Sequence, residues 1–269
     1  MFKRVVLKLS GEYLAGELDE TRDVKSAVHY DEQTVDRIVG EITALHAEGV
    51  EIAVVTGGGN FWRGAEAPKT MDRVRADHMG MLASVMNGVF LEDRFKNKLV
   101  DARVMTPFTV GATAELYDRD AADKKLKNGS ILIFSGGSGH PFFSTDTITA
   151  IRAAELGACC AMFAKGVEGV CDTNPKFLQA GESYGVYREI TCEKIIRDNL
   201  FVIDMSAAQI LMQQKVYSVL FDIRQSGNIA AACRDNNEIY DIGTKIYYDK
   251  NAEWEERICL SKQPLTKKK

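Results

Sequence analysis

Short apolar runs alternate with amphipathic segments along almost the whole chain. Arg4–Leu9, Glu51–Thr56, Ala102–Thr106, Ser130–Ser135, Ala158–Ala164, Phe201–Ile203 and Tyr217–Asp222 have strand length and few interior polar positions. Asp31–Glu48, Asp72–Lys96, Arg119–Lys127, Thr145–Leu156, Thr191–Asp198, Ser206–Gln214 and Asn228–Arg234 carry apolar residues at helical spacing. Near-continuous apolar strands separated by helices predict an α/β fold with three layers, a largely parallel central sheet covered by helices on both faces. No Pro/Ser-rich linker and no repeat interrupts the pattern. One domain is expected over residues 1–250, with N-terminal and C-terminal halves, and an extension over 251–269. Two stretches lack periodicity: the charged segment Gly16–Tyr30 and the tail from Asn251, which ends in three lysines and reads as a solvated end.

One helix departs from the amphipathic pattern. In "HMGMLASVMNGVFL", His78 to Leu91, only His78, Ser84 and Asn87 are polar. A surface helix of a monomer shows a broad polar face. This segment is expected to be buried on two sides, by its own core and by a second subunit.

Composition narrows the function. The chain has 269 residues and a net charge of −4, so it lacks the basic field that gathers nucleic acid. Its apolar runs are too short for a membrane span, and the "MFKRVVLKLSGE" start carries no cleavage pattern. The six cysteines form no CxxC pair and the four histidines are scattered, which gives zinc little support. Cys159 and Cys160 lie in an apolar run and read as small core residues. A reduced, cytoplasmic protein is the simplest expectation.

The candidate chemistry lies in four glycine-bearing loops, each after a predicted strand: "KLSGE" (Lys8–Glu12), "TGGGNFWRG" (Thr56–Gly64), "SGGSGHPFFSTD" (Ser135–Asp146) and "AKGVEGVCDTNP" (Ala164–Pro175). In open α/β sheets, ligands bind at that carboxyl edge. Glycines there let backbone N–H groups converge on an anion, and a following helix adds its positive end. No GxxxxGK[ST] and no GxGxxG after the first strand occurs, so neither a Walker loop nor a dinucleotide fingerprint is present. "KLSGE" alone would pass for a tight turn, but three consecutive glycines exceed what a turn needs. Lys8 and Arg63 bring positive charge suited to phosphate. Lys8 is unexpected near the end of an apolar strand. Asp146 opens a helix and by itself reads as a cap. Asp77 by itself reads as a surface carboxylate.

Together, "KLSGE", "GGGNFWRG", "ADHMGMLASVMN", "GHPFFSTD" and "VEGV…NP" resemble, in order and spacing, the bacterial UMP kinases of the amino acid kinase family. The likeness runs from about Phe2 to Tyr248. It implies an amino acid kinase-like fold and phosphorylation of UMP by ATP with Mg²⁺, in pyrimidine nucleotide biosynthesis. The N-terminal half would bind UMP and make oligomer contacts, and the C-terminal half would bind ATP. Lys8, Leu9, Ser10 and Gly11 would bind ATP phosphates, with Gly59 and Arg63 also on ATP. Gly58 would contact UMP and Asp77 its ribose. Ser138, Gly139, His140, Pro141, Phe142, Phe143, Ser144 and Thr145 would wrap uracil and ribose. Asp146 would orient Lys8 and, indirectly, the magnesium. Lys165, Cys171 and Asn174 would line the adenosine side. Lys8, Arg63 and Asp146 would be the catalytic set. The triple glycine would lie between the two nucleotides, where side chains would hold the reactants apart.

The likeness also implies a homohexamer with GTP as activator and UTP as inhibitor. Asn174 stands where the family usually has Asp, Glu168 where it has the Asp of "VDGV", and His140 where Asn is common. The alternatives are a sister kinase acting on acetylglutamate, aspartate, glutamate or carbamate, and a non-catalytic nucleotide-binding or storage protein on the same scaffold.

Overall fold

The computed structural model describes residues 1–16, 29–173, 183–200, 202–234, 239–248 and the backbone of 261–264. The N-terminal part runs β1 (Arg4–Leu9), α1 (Gly11–Leu14), α2 (Glu32–Ala47), β2 (Glu51–Thr56), a 3₁₀ turn (Gly64–Glu66), α3 (Arg73–Asn97), β3 (Ala102–Thr106), β4 (Glu115–Leu116), α4 (Arg119–Lys127), β5 (Ile131–Phe134) and α5 (Thr145–Glu155). It continues with β6 (Cys160–Lys165), β7 (Val170–Cys171), β8 (Ser183–Tyr187), β9 (Glu189–Thr191), α6 (Cys192–Arg197), α7 (Met205–Gln213), β10 (Ser218–Asp222), α8 (Asn228–Cys233), α9 (Ile239–Ile242), β11 (Gly243–Tyr247) and β12 (Ser261–Pro264).

Among the described residues, one sheet of nine strands crosses both halves in the order β4-β3-β5-β2-β1-β6-β10-β11-β9. From β4 to β10 every pairing is parallel, and only the β10–β11 pairing is antiparallel. Alternation along β1 explains the three layers. Val5, Leu7 and Leu9 face a core built with α2, α3 and α8. Val6 faces the opposite core, built with α4, α5, α6 and α7. Period two therefore sends Lys8 to the α5 side.

The predicted helices and six of the seven predicted strands are present, with ends displaced by one or two residues at most. Phe201–Ile203 is not a strand in its described part. Val202 and Ile203 lie in a turn before α7, where Ile203 is buried in the α5 side core. Val202 and Ile203 fill space there without strand pairing. The β6 loop leads to β7, which pairs antiparallel with β8, and not directly to a helix. In the tail, Ser261–Pro264 pairs antiparallel with β8, so this part is not a free end. Cys159 is exposed, unlike buried Cys160, because it precedes the strand.

Candidate active site

The four loops leave adjacent strands, because β5, β2, β1 and β6 are consecutive in the sheet and parallel. Residues far apart in the sequence thereby reach one edge.

At its centre, a carboxylate lies between two ammonium groups. Lys8 Nζ is 2.9 Å from Asp146 Oδ1, and Lys165 Nζ is 2.7 Å from Asp146 Oδ2. The Lys8 contact is an ion pair without hydrogen-bond geometry at Oδ1, whereas Lys165 donates a directed bond. Lys8 comes from β1, Lys165 from the end of β6 and Asp146 from the first turn of α5. Lys8 and Asp146 are buried. Burial acts to raise the Asp146 carboxyl, but the charges of Lys8 and Lys165 outweigh it and hold its pKa below the usual carboxylate value. Burial, with repulsion from Lys8, lowers the pKa of Lys165. Two ammonium groups thus share the Asp146 carboxylate, with Asp204 also acting on Lys165, and the arrangement brings both cations to an edge suited to an anion.

The start of α5 is held by a carboxylate that the sequence patterns did not single out. Asp204 accepts Thr147 Oγ1 at 2.8 Å, also accepts the Ser144 hydroxyl, and caps α7 through Ala207 N at 2.7 Å. Ser144 Oγ in turn accepts Asp146 N at 3.0 Å. Lys165 also donates to the Val202 carbonyl, which ties the β6 end to the turn before α7.

The middle residue of the triple glycine meets the protein's own backbone. A Cβ on Gly58 would stand 2.7 Å from Ala83 Cβ and from Gly80 O, both on α3. A Cβ on Gly11 would stand 2.7 Å from Gly57 O and 2.8 Å from Gly59 N. Close packing of the α1 turn, the glycine loop and α3 thus accounts for Gly11 and Gly58 without any ligand, whereas a Cβ on Gly57 would find only ordinary contacts, at 3.5 Å. Arg63 pairs with Glu12, and Glu66 is 3.6 Å from it.

Within the apolar stretch of α3, Ser84 and Asn87 are buried and His78 is exposed. Asn87 is 0% exposed; it donates to Gly57 O at 2.6 Å and to Asn60 Oδ1 at 2.7 Å, and accepts from Tyr30 OH at 3.0 Å. Ser84 Oγ accepts Gly136 N at 2.8 Å. Asp77 is not a free surface carboxylate: it accepts Arg73 Nε at 2.9 Å and Phe142 N at 3.0 Å. Phe142 has φ 73°, unusual for a non-glycine residue, and the Asp77 bond anchors it there. On the outer face Met79, Leu82 and Met86 are 41%, 53% and 52% exposed.

A cavity of about 130 Å³ between α3 and the β5 loop is lined by Gly58, Asp77, Ser138, His140, Phe143 and Thr145, among others. Gly139 and Pro141 belong to the same loop, and Leu9, Ser10 and Gly11 to the β1 end. Cys171 is half-buried in β7; burial, with Asp172 and Glu168 nearby, raises its thiol to about 11. Asn174 lies outside the described residues, as do residues 17–28 of the aperiodic Gly16–Tyr30 segment.

A family model described as "Amino acid kinase family" matches residues 3–222. The chain belongs to the amino acid kinase family. Among solved amino acid kinase structures, the UMP kinase from Bacillus anthracis is 30% identical with a TM-score of 0.81, covering 98% of this chain and 99% of that one. The UMP kinase from Ureaplasma parvum is 28% identical with a TM-score of 0.79, covering 91% of this chain and 98% of that one. The uridylate kinase from Archaeoglobus fulgidus, at 21% identity and a TM-score of 0.66, covering 90% of this chain and 99% of that one, shares the fold. Family and neighbours place the chain among nucleotide-binding kinases. Among the described residues, no helix is long and apolar enough to cross a membrane.

Proposed function

We propose that the protein transfers the γ-phosphoryl group of ATP to UMP, giving UDP and ADP. The observation that carries this reading is the Lys8–Asp146–Lys165 cluster, which brings two ammonium groups to the edge where the four loops converge. A UMP phosphate oxygen attacks the γ-phosphorus in line. The bond to the bridging oxygen breaks, and ADP leaves with the electron pair. A phosphate monoester is already ionised near neutral pH, so no side chain has to remove a proton. The protein's task is alignment and charge stabilisation. Lys8 stabilises the transferring group, and Asp146 holds Lys8 and Lys165 in place.

On this reading ATP phosphates meet Lys8–Gly11, Gly59 and Arg63, while UMP occupies the cavity of Asp77 and the Ser138–Thr145 loop. Lys165, Cys171 and Asn174 take the adenosine side. Both Asp146 oxygens are engaged by lysines, and the described residues hold no cluster of three metal-ligating side chains. That donor set fits Mg²⁺ carried by ATP phosphate oxygens and not bound directly by Asp146. When bound, the ion neutralises phosphate charge. The bare face of α3 packs against a second copy of the chain within a homohexamer, with GTP and UTP as effectors.

The deciding experiment is ADP production from ATP and Mg²⁺ with a panel of acceptors. UMP should be strongly preferred over CMP, AMP, GMP, acetylglutamate, aspartate, glutamate and carbamate. Comparable turnover of CMP sinks the uridylate reading. Turnover of an amino acid or carbamate alone moves the chain to a sister kinase. ATP binding without turnover of any acceptor makes it a binding protein.

A further inference from the structure

Glu12 and Arg63 belong to different loops, yet their side chains form an ion pair. Glu12 lies in the first turn of α1, one residue past Gly11. Its carboxylate also covers Gly59: a Cβ placed there would stand 3.0 Å from Oε1 and 3.2 Å from Cγ of Glu12. A protein carboxylate therefore blocks the approach to Gly59 and neutralises the neighbouring guanidinium. Both side chains line a cavity of about 400 Å³, with Phe61, Trp62 and Pro68 among its other walls. Each is about two-fifths exposed, so either can swing without disturbing the core. Glu66 is the weaker partner of Arg63, at 3.6 Å and more exposed.

A guanidinium takes carboxylate and phosphate through the same fork of donors. A phosphate that approaches Gly59 and engages Arg63 has to displace Glu12 first. The geometry points to Glu12 as a displaceable internal anion, which holds Arg63 until a phosphate replaces it and sets how tightly this loop takes the phosphates of a nucleoside triphosphate. Binding at the loop is then an exchange of one anion for another, and it is weaker than Arg63 alone would give. The inference rests on the reading that ATP phosphates meet Gly59 and Arg63.

The test is calorimetric titration with the non-hydrolysable β,γ-imido analogue of ATP and Mg²⁺. Glu12→Gln should tighten Kd by about three- to fivefold, or ~0.7–1 kcal/mol, in the range of an exposed ion pair. The gain should vanish in an Arg63→Ala background and be smaller for Glu66→Gln. Unchanged or weaker binding by a folded Glu12→Gln protein overturns the inference. So does a gain that persists without Arg63, or one that Glu66→Gln equals. A Glu12→Gln chain that fails to fold also overturns it, because the pair would then be structural. If the wild-type protein shows no saturable binding, the ATP reading itself fails and the inference falls with it. Binding by the wild type without tightening in the variant leaves the ATP reading standing.

Discussion

Asn87 donates its side-chain amide to the carbonyl of Gly57 at 2.6 Å, so a fully buried polar residue of α3 holds the triple-glycine loop. Leaving a buried polar group without its partner costs about 1–3 kcal/mol. Asn87→Leu should therefore lower the melting temperature by several degrees. It should also reduce kcat more than KM for ATP, since the loop would lose its anchor while Lys8 remained. Unchanged kcat in the folded variant would mean that the α1 turn alone positions the loop.

Gly58 tests what the glycines are for. The sequence pattern suggested that two bound phosphates exclude side chains there. Contacts of 2.7 Å to Ala83 Cβ and Gly80 O show that α3 already excludes them. Gly58→Val should destabilise the ligand-free protein by about 1–3 kcal/mol, the cost of overpacking, or more because backbone lies in the way. Thermal melting without nucleotide measures it. A native melting point would return the constraint to the ligand.

Lys8→Met should reduce kcat about a hundredfold or more, the loss expected for a charge that acts in the transition state. The fold should persist, because Lys165 still pairs with Asp146. Single-turnover kinetics with a circular-dichroism melt separates the two effects. Near-wild-type turnover would leave Lys8 as a structural ion-pair partner.

Lys165 gives a pH signature with two opposite signs. Burial first, then Lys8, lowers its folded pKa below the usual lysine value. As pH rises through that lowered pKa, the folded state loses this proton while the unfolded state keeps it. The contribution of Lys165 to stability therefore climbs until the unfolded pKa is passed. Activity should fall over the same window, as the cluster loses positive charge. The difference in denaturant midpoint between wild type and Lys165→Met, followed on the alkaline side, should grow in the wild type's favour. A flat difference would show that Lys165 titrates alike in the folded and unfolded states.

Assembly should depend on the outer face of α3. Leu82→Glu should reduce the mass seen by light scattering and keep the fold, since Leu82 is 53% exposed. Val85→Glu, only 5% exposed, should unfold the monomer instead. Unaltered mass for Leu82→Glu would remove this face from the subunit contact.

Much of the fold was legible because β1, β2, β3, β5, β6 and β10 are apolar on both faces and bounded by glycine or charge. The two-residue β4 and β7 and the three-residue β9 are too short for a period to show, and β11 carries Lys245 mid-strand. The Val202–Ile203 turn shows the converse error, since burial alone made it resemble a strand. At the site, Lys8 was legible as a lysine out of place in a strand. Asn87 and Ser84 were visible as the polar exceptions in an apolar helix, but their inward direction was not. Glu12 carried no local signal, because Arg63 lies far along the chain, and Asp204 carried only that of a helix cap, since Ser144 and Thr147 are equally distant.

The order of loops along the sheet edge differs from their order in the chain. Read across, it is the third, second, first and fourth, on strands stepped by about 4.8 Å. The edge is thus a ruler of roughly 14 Å whose gradations are interchangeable parts. Residues 135–143, ahead of Asp146, form one end gradation, and the lysines of β1 and β6 stand at two of the other three. Recasting the end loop would alter what is measured there and leave the spacing of the remaining marks untouched. The same scaffold can therefore change the molecule it accepts without rebuilding the part that handles charge.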